Sequence, residues 1–390
     1  MSGLVVRPRA RMFHGHDWVY GSEVQKVFGD PVPGDVVSLK DFRDRPLGSA
    51  IYNPQSQIVA RRFSRRKQDL DRDFFVRRIR RAWGYREALG LAASSGAVRC
   101  VWSESDGLPG VILDRYGDQF VLQTLTKGMD LRKGDLVEAV REVFAPGVLV
   151  IRNDSPIRAA EGLEPDVWVA FGTPRRETLI HAGVSYRVDV LEGQKTGLYL
   201  DQLDNYGEVA RYAPGRSVLD CFCNQGGFAL QAAQAGAREV VAVDSSEAAV
   251  ECGRENARAS GLAVQFETAN AFDFLKEAEA AGRRFDLIIL DPPSFTKSKK
   301  TVSGALRGYK EIHLRALKML EPGGILATFC CSHHVDPASF RDMIRDAATD
   351  ARRTLRLRAV HSQRADHPVL LSIPETEYLQ GLSLEVISSW

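Results

Sequence analysis

Two adjacent cysteines and a proline-rich loop are the residues of this chain best suited to chemistry. The stretch FCCSHH (329–334) ends one apolar run, and DPPSF (291–295) follows another. A cysteine thiolate can add to C6 of a pyrimidine ring and turn C5 into a nucleophile. Asp291 can hydrogen-bond a ring nitrogen and Phe295 can stack on a base, while two prolines hold the loop rigid. Together they predict group transfer to a planar base, with Cys331 as the thiol.

The cysteines could also have roles without a chemical reaction, either in core packing or in metal binding. A free cysteine packs readily in an apolar core, and strand alternation predicts this for Cys330, pointing it away from Cys331. CFC (221–223), CC and HH could instead bind a metal, but adjacent cysteines lack the usual C-x-x-C spacing. We therefore predict no metal site, and we assign no role to His333 and His334.

Alternating strand and helix patterns after residue 176 predict the scaffold that positions these residues. Uniformly apolar strands between amphipathic helices indicate a doubly wound, mostly parallel sheet, whose ligands bind at the carboxyl ends of the strands. The predicted strands are SVLDCF (217–222), VVAVD (240–244), AVQFET (263–268), FDLIILD (285–291) and GGILATFC (323–330).

The strand ends carry acidic and small residues that suit a ligand without phosphates. CFCNQGGFAL (221–230) lacks the G-x-G-x-x-G spacing that a dinucleotide requires. A glycine pair opening a helix after Asp220 suits S-adenosylmethionine (SAM), Asp244 is placed to bind ribose hydroxyls, and Asn270 could bind the adenine edge. A purely structural glycine turn and a helix-capping role for the Asp244 region are the open alternatives.

Two smaller regions precede this sheet, so the 390-residue chain is predicted to be an α/β protein of three domains. Residues 1–70 are short β-like runs broken by turn residues, which predict a small β-barrel. Residues 71–175 combine a basic helix from about Asp73 to Leu89 with a hairpin and another helix, which predicts an α+β domain. Residues 176–390 hold a β-hairpin and the doubly wound sheet.

The net charge of +2 conceals one strongly basic segment. Residues 61–86 contain ten arginines and Lys67 against three aspartates, with Phe74, Phe75, Trp83 and Tyr85 interleaved. Guanidinium groups neutralise phosphates and aromatic faces stack on bases, so this segment favours binding to nucleic acid. A solvated amphipathic helix is the alternative.

Composition excludes several classes of protein. Hydrophobic residues make up 44% and charged residues 26%, as in globular proteins. No apolar run approaches the length of a membrane span, and the first residues do not form a signal peptide, so we expect a cytoplasmic protein without a membrane partner. The six cysteines form no spaced framework, and we expect them to be reduced.

Nine stretches of the chain match one family in the same order. They are GHDWVYGSEV (15–24), NPQSQIVARRF (53–63), ESDGLPGVILDRYGD (104–118), GQKTGLYLDQ (193–202), CFCNQGGFAL (221–230), DPPSF (291–295), GYKEIHLRAL (308–317), CS (331–332) and ADHPV (365–369). Over nearly its whole length the chain resembles the bacterial 23S ribosomal RNA cytosine-5 methyltransferases that carry an N-terminal PUA domain. The resemblance implies a PUA-like barrel, a central EEHEAD-type domain and a C-terminal class I SAM methyltransferase domain.

The resemblance also implies roles for particular residues. Cys331 would be the nucleophile and Asp291 would bind the cytosine edge near N3. The residues expected to bind SAM are Gln202, Asp220, Phe222, Asn224, Gly226, Gly227, Asp244, Ser245, Asn270, Ala271 and Asp291. Those expected to bind the substrate are Arg61, Arg62, Arg65, Arg66, Lys195, Pro292, Pro293 and Phe295. The family often has Ser in place of Cys330 and Asp in place of Asn270.

The implied partner is a single-stranded or unfolded segment of 23S ribosomal RNA, and a homodimer is one state that the sequence allows. Two rival functions stay open: methylation of a base nitrogen, either guanine N7 or an exocyclic amine, and a non-catalytic role in RNA binding or ribosome assembly. The sequence does not indicate which cytosine is modified, whether the substrate is naked RNA or an assembled subunit, or which group removes the C5 proton.

Overall fold

The computed structural model describes residues 2–7, 10–92, 96–296 and 301–389. Contacts divide the chain into two compact units. The first contains the chain up to Leu179 together with Val188–Leu200 and Ala365–Glu377. The second contains Ile180–Arg187, Asp201–Arg364 and the chain from Tyr378. The predicted three-domain boundaries stay a prediction.

The first unit begins with a six-stranded sheet in the order β2-β6-β5-β4-β1-β3. Its strands are β1 (Gly3–Val6), β2 (Trp18–Tyr20), β3 (Val24–Phe28), β4 (Val36–Asp41), β5 (Pro46–Tyr52) and β6 (Ile58–Ser64). Alternate residues such as Leu4, Leu39 and Ala60 point into its core, where they are completely buried. The predicted all-β region is confirmed.

A five-stranded sheet in the order β11-β10-β9-β8-β7 follows in the same unit. Its strands are β7 (Ala97–Trp102), β8 (Val111–Tyr116), β9 (Gln119–Thr124), β10 (Val148–Asn153) and β11 (Asp166–Phe171). The accompanying helices are α1 (Arg72–Ala88), α2 (Lys127–Asp130) and α3 (Lys133–Phe144). This is an α+β arrangement, and its identity as an EEHEAD-type domain stays a prediction.

Helix α1 is the predicted basic helix, and its ends lie within one residue of the expected positions. Asp71 caps it by accepting a hydrogen bond from the Phe74 N–H at 2.8 Å. Phe74, Phe75 and Ile79 are buried, whereas most of its arginines lie on the exposed side. The helix is therefore amphipathic, with an apolar face in the core and a basic face outside.

The second unit contains a seven-stranded sheet in the order β16-β15-β14-β17-β18-β20-β19. Its strands are β14 (Ser217–Cys221), β15 (Glu239–Asp244), β16 (Gln265–Thr268), β17 (Phe285–Leu290), β18 (Leu320–Cys330), β19 (Arg353–Ser362) and β20 (Gln380–Ser389). The helices are α4 (Leu203–Ala210), α5 (Gly227–Gln234), α6 (Glu247–Ser260), α7 (Ala271–Ala280), α8 (Val302–Met319) and α9 (Pro337–Asp350). A hairpin of β12 (Glu177–His181) and β13 (Val184–Val188) precedes it in the chain.

The predicted doubly wound, mostly parallel sheet is confirmed. Strands β14 to β18 pair in parallel, and Leu219, Val241 and Ile288 within them are completely buried. Strands β19 and β20 run antiparallel at one edge, so the sheet is mixed. These two strands were not predicted from the sequence, because the alternating polar residues of β19 lack the uniformly apolar signal of a central strand.

Helix α8 begins earlier than predicted. The sequence predicts a loop over PPSFTKSKKTVSG (292–304), of which residues 297–300 lie outside the described residues, and a helix from Tyr309. The structure starts the helix at Val302. Tertiary packing overrides the low helix propensity of Gly304 and Gly308. Gly308 faces the ring of Phe295, and a Cβ added to this glycine would lie 3.5 Å from that ring. Throughout the described ranges, no helix has the length and apolar character needed to cross a bilayer.

His313 joins helix α8 to strand β18 from a completely buried position. Its Nδ1 lies 2.6 Å from the Tyr309 carbonyl oxygen, and its Nε2 lies 2.7 Å from Thr328 Oγ1. Burial lowers the pKa of His313 to about 4, although the Tyr309 bond acts in the opposite direction. The neutral ring therefore donates from Nδ1 to the carbonyl and accepts the Thr328 hydroxyl at Nε2.

We expect His313 to make unfolding of the protein sensitive to mild acid. Its folded-state pKa of about 4 lies below the ordinary value of 6.5, so its contribution to stability is complete above about pH 6.5 and falls as the pH decreases toward 4. Between about pH 7.5 and pH 5 this group should cost about 2 kcal/mol. Calorimetry of His313→Gln should therefore show a smaller drop in melting temperature over that interval than the wild type.

The matched control is His334→Gln, which replaces an exposed histidine of the same unit. This variant should keep the wild-type pH dependence. If His313→Gln lost as much melting temperature in acid as His334→Gln, the buried ring would not be the source of the acid sensitivity.

Candidate active site

The candidate site lies at the carboxyl ends of the central strands, where the strand order reverses between β14 and β17. Asp220 is the penultimate residue of β14, Asp244 ends β15, and Asp291 follows β17. The backbone N–H of Asp291 approaches the Cys221 carbonyl oxygen at 3.5 Å, so β14 and β17 stay together to their ends. Open parallel sheets bind ligands at such a switch point.

The turn after β14 depends on an unusual backbone path. Phe222, Asn224 and Gly226 have φ values of 64°, 49° and 84°, all in the left-handed region. The Asn224 N–H donates to Asp244 Oδ2 at 2.9 Å, which ties the turn to the end of β15. Left-handed non-glycine residues cluster at functional sites, where surrounding contacts hold them in place.

Packing explains the glycine pair at the start of α5. A Cβ added to Gly226 would lie 2.7 Å from Phe266 Cζ, and one added to Gly227 would lie 2.3 Å from Tyr206 Cζ. Both rings therefore occupy the space that a side chain would need. This supports the structural alternative for the glycines, and their contact with a cofactor stays a prediction.

Asp220 is completely buried with half of its carboxyl group unsatisfied. Oδ2 accepts a hydrogen bond from the Ala229 N–H at 3.0 Å, whereas Oδ1 has no hydrogen-bond partner among the described residues. Burial raises the pKa of Asp220 well above its ordinary value, and the charges of Asp291 and Asp244 add to this effect against the Ala229 bond. An orphaned buried acceptor of this kind suits a ligand that brings a donor or a positive charge.

At the ends of β15 and β16, Asp244 and Asn270 accept hydrogen bonds from the starts of the helices that follow. Asp244 Oδ1 accepts from the Ser246 N–H at 2.9 Å, and Ser246, not the exposed Ser245, is the N-cap of α6. Asn270 is the N-cap of α7, since its Oδ1 accepts from the Phe272 N–H at 2.9 Å. Each of these oxygens keeps a second lone pair for a ligand. The neighbouring Ala271 is buried.

A chain of amides fixes the orientation of Asp291. Gln202 donates from Nε2 to Asp291 Oδ2 at 3.0 Å, and its own Oε1 accepts from Asn205 Nδ2 at 2.6 Å. Asn205 also donates to the Ser362 carbonyl oxygen at 2.9 Å. Gln202 and Asn205 are buried, so the arrangement is rigid. Asn205 was not among the predicted site residues. The amide of Gln202 contacts Asp291 and Asn205, and its predicted contact with the cofactor stays a prediction.

The thiol of Cys331 faces the DPPSF loop. Its Sγ lies 3.9 Å from the carbonyl oxygen of Pro292, and the residue is partly exposed. Cys330 is completely buried in the core beside it, and burial raises the pKa of the Cys330 thiol. The two adjacent cysteines therefore have different environments, and only Cys331 is accessible to a substrate.

Phe295 belongs to an aromatic cluster with Tyr309, Phe272 and Phe222. Its ring centroid lies 4.5 Å from that of Tyr309 and 5.6 Å from that of Phe272. Tyr309 also donates its hydroxyl to the Pro293 carbonyl oxygen at 3.5 Å, and burial raises its pKa. Base stacking by Phe295 stays a prediction, because other rings already pack against it. The missed residue is Tyr309, which the helical spacing Tyr309-x-x-x-His313 could have indicated.

The acidic strand ends fit SAM. The ligand offers ribose hydroxyls, an amino group and a positive sulfonium, and this edge offers the carboxylates of Asp220, Asp244 and Asp291 with the orphaned Oδ1 of Asp220. Within the ranges the structure describes, no three His, Cys, Asp or Glu side chains are arranged to hold a metal ion.

The other predicted substrate residues lie in the first unit. Lys195 Nζ sits 4.1 Å from the ring centroid of Tyr199. Arg61 pairs with Glu104 and Glu161, and Arg62 with Asp17, so both have structural partners. Arg65 and Arg66 are exposed. Their contact with a substrate stays a prediction.

Family profiles match most of the chain. A profile described as S-adenosylmethionine-dependent methyltransferase matches residues 164–371, and one described as a PUA-like domain matches residues 7–65. These matches confirm the predicted PUA-like region, the methyltransferase fold and SAM as the cofactor.

Curated relatives match it almost end to end. The chain is 39% identical over 378 residues to ribosomal RNA large subunit methyltransferase I of Erwinia tasmaniensis, covering 95% of this chain and 96% of that protein. It is 38% identical over 386 residues to the protein of that name from Aeromonas hydrophila, covering 97% of each.

Solved structures share the fold. A SAM-dependent methyltransferase, as it is described, from Streptococcus mutans superposes with a TM-score of 0.86 at 22% identity, covering 99% of this chain and 100% of the other. A structure described as a methyltransferase complexed with SAH gives the same TM-score, identity and coverage.

Two aspartates of the seven-stranded sheet should respond oppositely to loss of their charge. Asp286 accepts hydrogen bonds from Ser217 N and Oγ at 2.9 and 3.0 Å; although burial acts to raise its pKa, these bonds and the charges of Arg238 and Arg216 lower it. At about pH 7.5 we expect Asp220→Asn to raise the melting temperature and Asp286→Asn to lower it, each by a few degrees.

Titration calorimetry with SAM separates the two positions further. Asp220→Asn should be more stable yet bind SAM more weakly, because the buried carboxyl no longer offers a charge to the ligand, whereas Asp286→Asn should bind normally. A destabilised Asp220→Asn protein would show that the ionised carboxylate is satisfied in the fold, against the assignment made here.

Proposed function

This chain belongs to the ribosomal RNA large subunit methyltransferase I family of SAM-dependent methyltransferases, and on that premise we propose that it makes 5-methylcytosine in 23S ribosomal RNA. The observation that carries the proposal is the distance of 3.9 Å between Cys331 Sγ and the Pro292 carbonyl oxygen. It supports an arrangement in which a thiol stands beside the loop that binds the base.

A thiol in that position has a chemical purpose only for carbon methylation. C5 of cytosine is a weak nucleophile, and addition of a thiolate to C6 gives C5 the electron density of an enamine carbon. Methylation of a ring nitrogen or an exocyclic amine uses a lone pair that is already present and needs no such addition. The partly exposed Cys331, next to a completely buried Cys330, therefore favours the carbon reaction.

In the proposed cycle, the Cys331 thiolate adds to C6, and the electron pair of the C5–C6 double bond shifts toward N3. Asp291, oriented by Gln202, acts as a carboxylic acid: it donates its proton to N3 and takes it back when the double bond reforms. Bound SAM supplies the methyl group that C5 receives. A base that is not yet assigned then removes the proton from C5, the C5–C6 double bond reforms, and the Cys331 thiolate leaves. The carboxyl groups at the strand ends hold the cofactor, and Asp244 is the residue proposed for its ribose hydroxyls.

The substrate must present its cytosine outside a stack. A flat ring can reach a thiol beside a loop at the edge of a sheet only after it leaves its neighbours, which costs least in single-stranded or unfolded RNA. We therefore propose single-stranded or unfolded 23S ribosomal RNA as the partner.

The paired variants Cys331→Ala and Cys330→Ala test the assignment directly. Unmodified 23S ribosomal RNA is incubated with methyl-labelled SAM, and its nucleosides are analysed by mass spectrometry. The wild type and Cys330→Ala should produce labelled 5-methylcytosine, while Cys331→Ala should lose at least about a thousandfold in rate, because the covalent route is closed. Binding of SAM, measured by calorimetry, should be retained in both variants.

RNA containing 5-fluorocytidine offers a second readout. A base can remove a proton from C5 but cannot remove fluorine in its place, so the bond between Cys331 and C6 cannot be released. The wild-type protein should therefore remain covalently attached to the RNA in denaturing gels, and Cys331→Ala should not. Label in another nucleoside, or 5-methylcytosine made by Cys331→Ala, would reject the cytosine-C5 proposal in favour of methylation at nitrogen; a protein that binds SAM and RNA but labels nothing would point to a non-catalytic role.

A further inference from the structure

A cleft of about 900 Å3 in the first unit plays no part in the chemistry described above. Its walls are the end of β6, one face of α1, the turn at 104–107 and the segment 368–370. All of these belong to the first unit, so the cleft is complete within it.

The carboxylates that line the cleft are already neutralised. Asp17 lies 2.6 Å from Arg62, and Asp106 lies 2.7 Å from the completely buried Arg86. Glu104 accepts hydrogen bonds from Arg61 at 3.0 Å and from the indole of Trp18 at 2.9 Å. Their negative charges are therefore directed into the protein and do little to offset other cations in the cleft.

Four further arginines line the same cleft without such partners. Within the described part of the chain, Arg65, Arg66, Arg78 and Arg81 have no carboxylate oxygen within 4.0 Å. This is unusual for the segment, since Arg72, Arg77 and Arg80 of the same helix each pair with an acidic side chain. The cleft thus concentrates positive charge that the protein does not neutralise.

Arg78 is the anchored member of this group. Its Nη2 donates to the Phe63 carbonyl oxygen at 3.1 Å, and its guanidinium group lies 5.0 Å from the ring centroid of Phe74. Burial together with the charges of Arg81 and Arg77 lowers its pKa, against the effect of Asp17. A half-buried guanidinium beside a second one gains from an anion that both can bind.

An exposed aromatic ring completes the arrangement. Tyr85 lines the cleft, with 42% of its surface exposed, and follows Arg78 and Arg81 at helical spacings of seven and four residues. Residues at these spacings share one face of a helix. Paired guanidinium groups and an exposed ring are the components with which proteins hold a single nucleic-acid strand, through its phosphates and through a stacked base.

We propose that this cleft is a docking site for a single RNA strand, with Arg78 and Arg81 on successive phosphates, Arg65 and Arg66 at its rim, and Tyr85 stacked on a base. The proposal rests on the proposed function, because the strand is part of the RNA that the second unit modifies. Its volume falls in the range of nucleotide-sized ligand sites. The contact is to the backbone and to any base, so the site holds RNA without reading its sequence.

The test is binding of a fluorescein-labelled RNA of roughly 12 nucleotides to the full chain, without SAM, at several salt concentrations. Arg78→Gln/Arg81→Gln is compared with Arg77→Gln/Arg80→Gln, which removes the same charge from the same helix outside the cleft. The first variant should bind on the order of tenfold more weakly at about 0.1 M salt, with a logarithmic salt dependence flatter by about 1.4, as expected for two lost phosphate contacts. The second should stay within about twofold.

The aromatic contact is tested separately. Tyr85→Ala should weaken binding about fivefold or more, and Tyr85→Phe should restore it, because stacking needs the ring and not the hydroxyl. Inorganic phosphate serves as the competitor. If the cleft were a site for a free anion, millimolar phosphate would displace the RNA, and Tyr85→Ala would leave RNA binding unchanged. Because Arg78 also donates to the Phe63 carbonyl oxygen, Arg66→Gln/Arg81→Gln provides a second variant, which breaks no side-chain hydrogen bond among the described residues.

If RNA binding were weakened equally in the cleft and control variants, or in neither of them, the proposed docking site would be wrong. These outcomes are distinct from failure of the proposed methylation, which would appear as unlabelled RNA in the nucleoside analysis while binding without SAM was normal.

Discussion

Parallel pairing of β14, β17 and β18 is the constraint on which the site depends. The register places Cys221 opposite Leu290 and Leu290 opposite Thr328, so the three strands end at nearly the same level. Asp291 and Cys331, which lie 40 positions apart in sequence, emerge together because each follows directly from one of these strands. A shift of one residue in either pairing would turn the alternate side chains to the opposite face of the sheet.

The parallel pairing of the strands also concentrates acidic groups at the sheet edge, where burial limits their contact with water. Asp220, Asp244 and Asp291 sit at adjoining strand ends, and burial with mutual repulsion raises the pKa of Asp220. Among the described residues, the backbone N–H groups of Ala229, Asn224 and Ser246 donate hydrogen bonds to the carboxyl groups of Asp220 and Asp244. A buried carboxyl group with one unsatisfied oxygen, such as that of Asp220, is suited to a ligand that brings a positive charge.

In the first unit, in contrast, charged side chains are largely paired with each other. Six of the ten arginines of the basic segment pair with carboxylates, namely Arg61, Arg62, Arg72, Arg77, Arg80 and Arg86. Arg86 also donates to the Asp366 carbonyl oxygen at 2.7 Å. The net charge of the segment therefore overstates what is available to a partner. What remains is confined to one face of α1 and the end of β6.

Local sequence patterns were enough to predict the elements with strong periodicity and the use of SAM for methyl transfer. The central strands are uniformly apolar because both of their faces are buried, so their signal survives without any knowledge of their neighbours; the ends of α1 follow from its cap and its pattern. The roles of Asp291 and Cys331 were likewise predicted from their residue types, and they stay predictions. The folded chain was needed to show which glycines are required by packing, that Asn205 orients Gln202 and Gln202 in turn orients Asp291, that α8 begins at Val302, and which arginines have no carboxylate partner among the described residues. Each of these depends on contacts between residues far apart in the chain, and pairing at long range leaves no local period in a sequence.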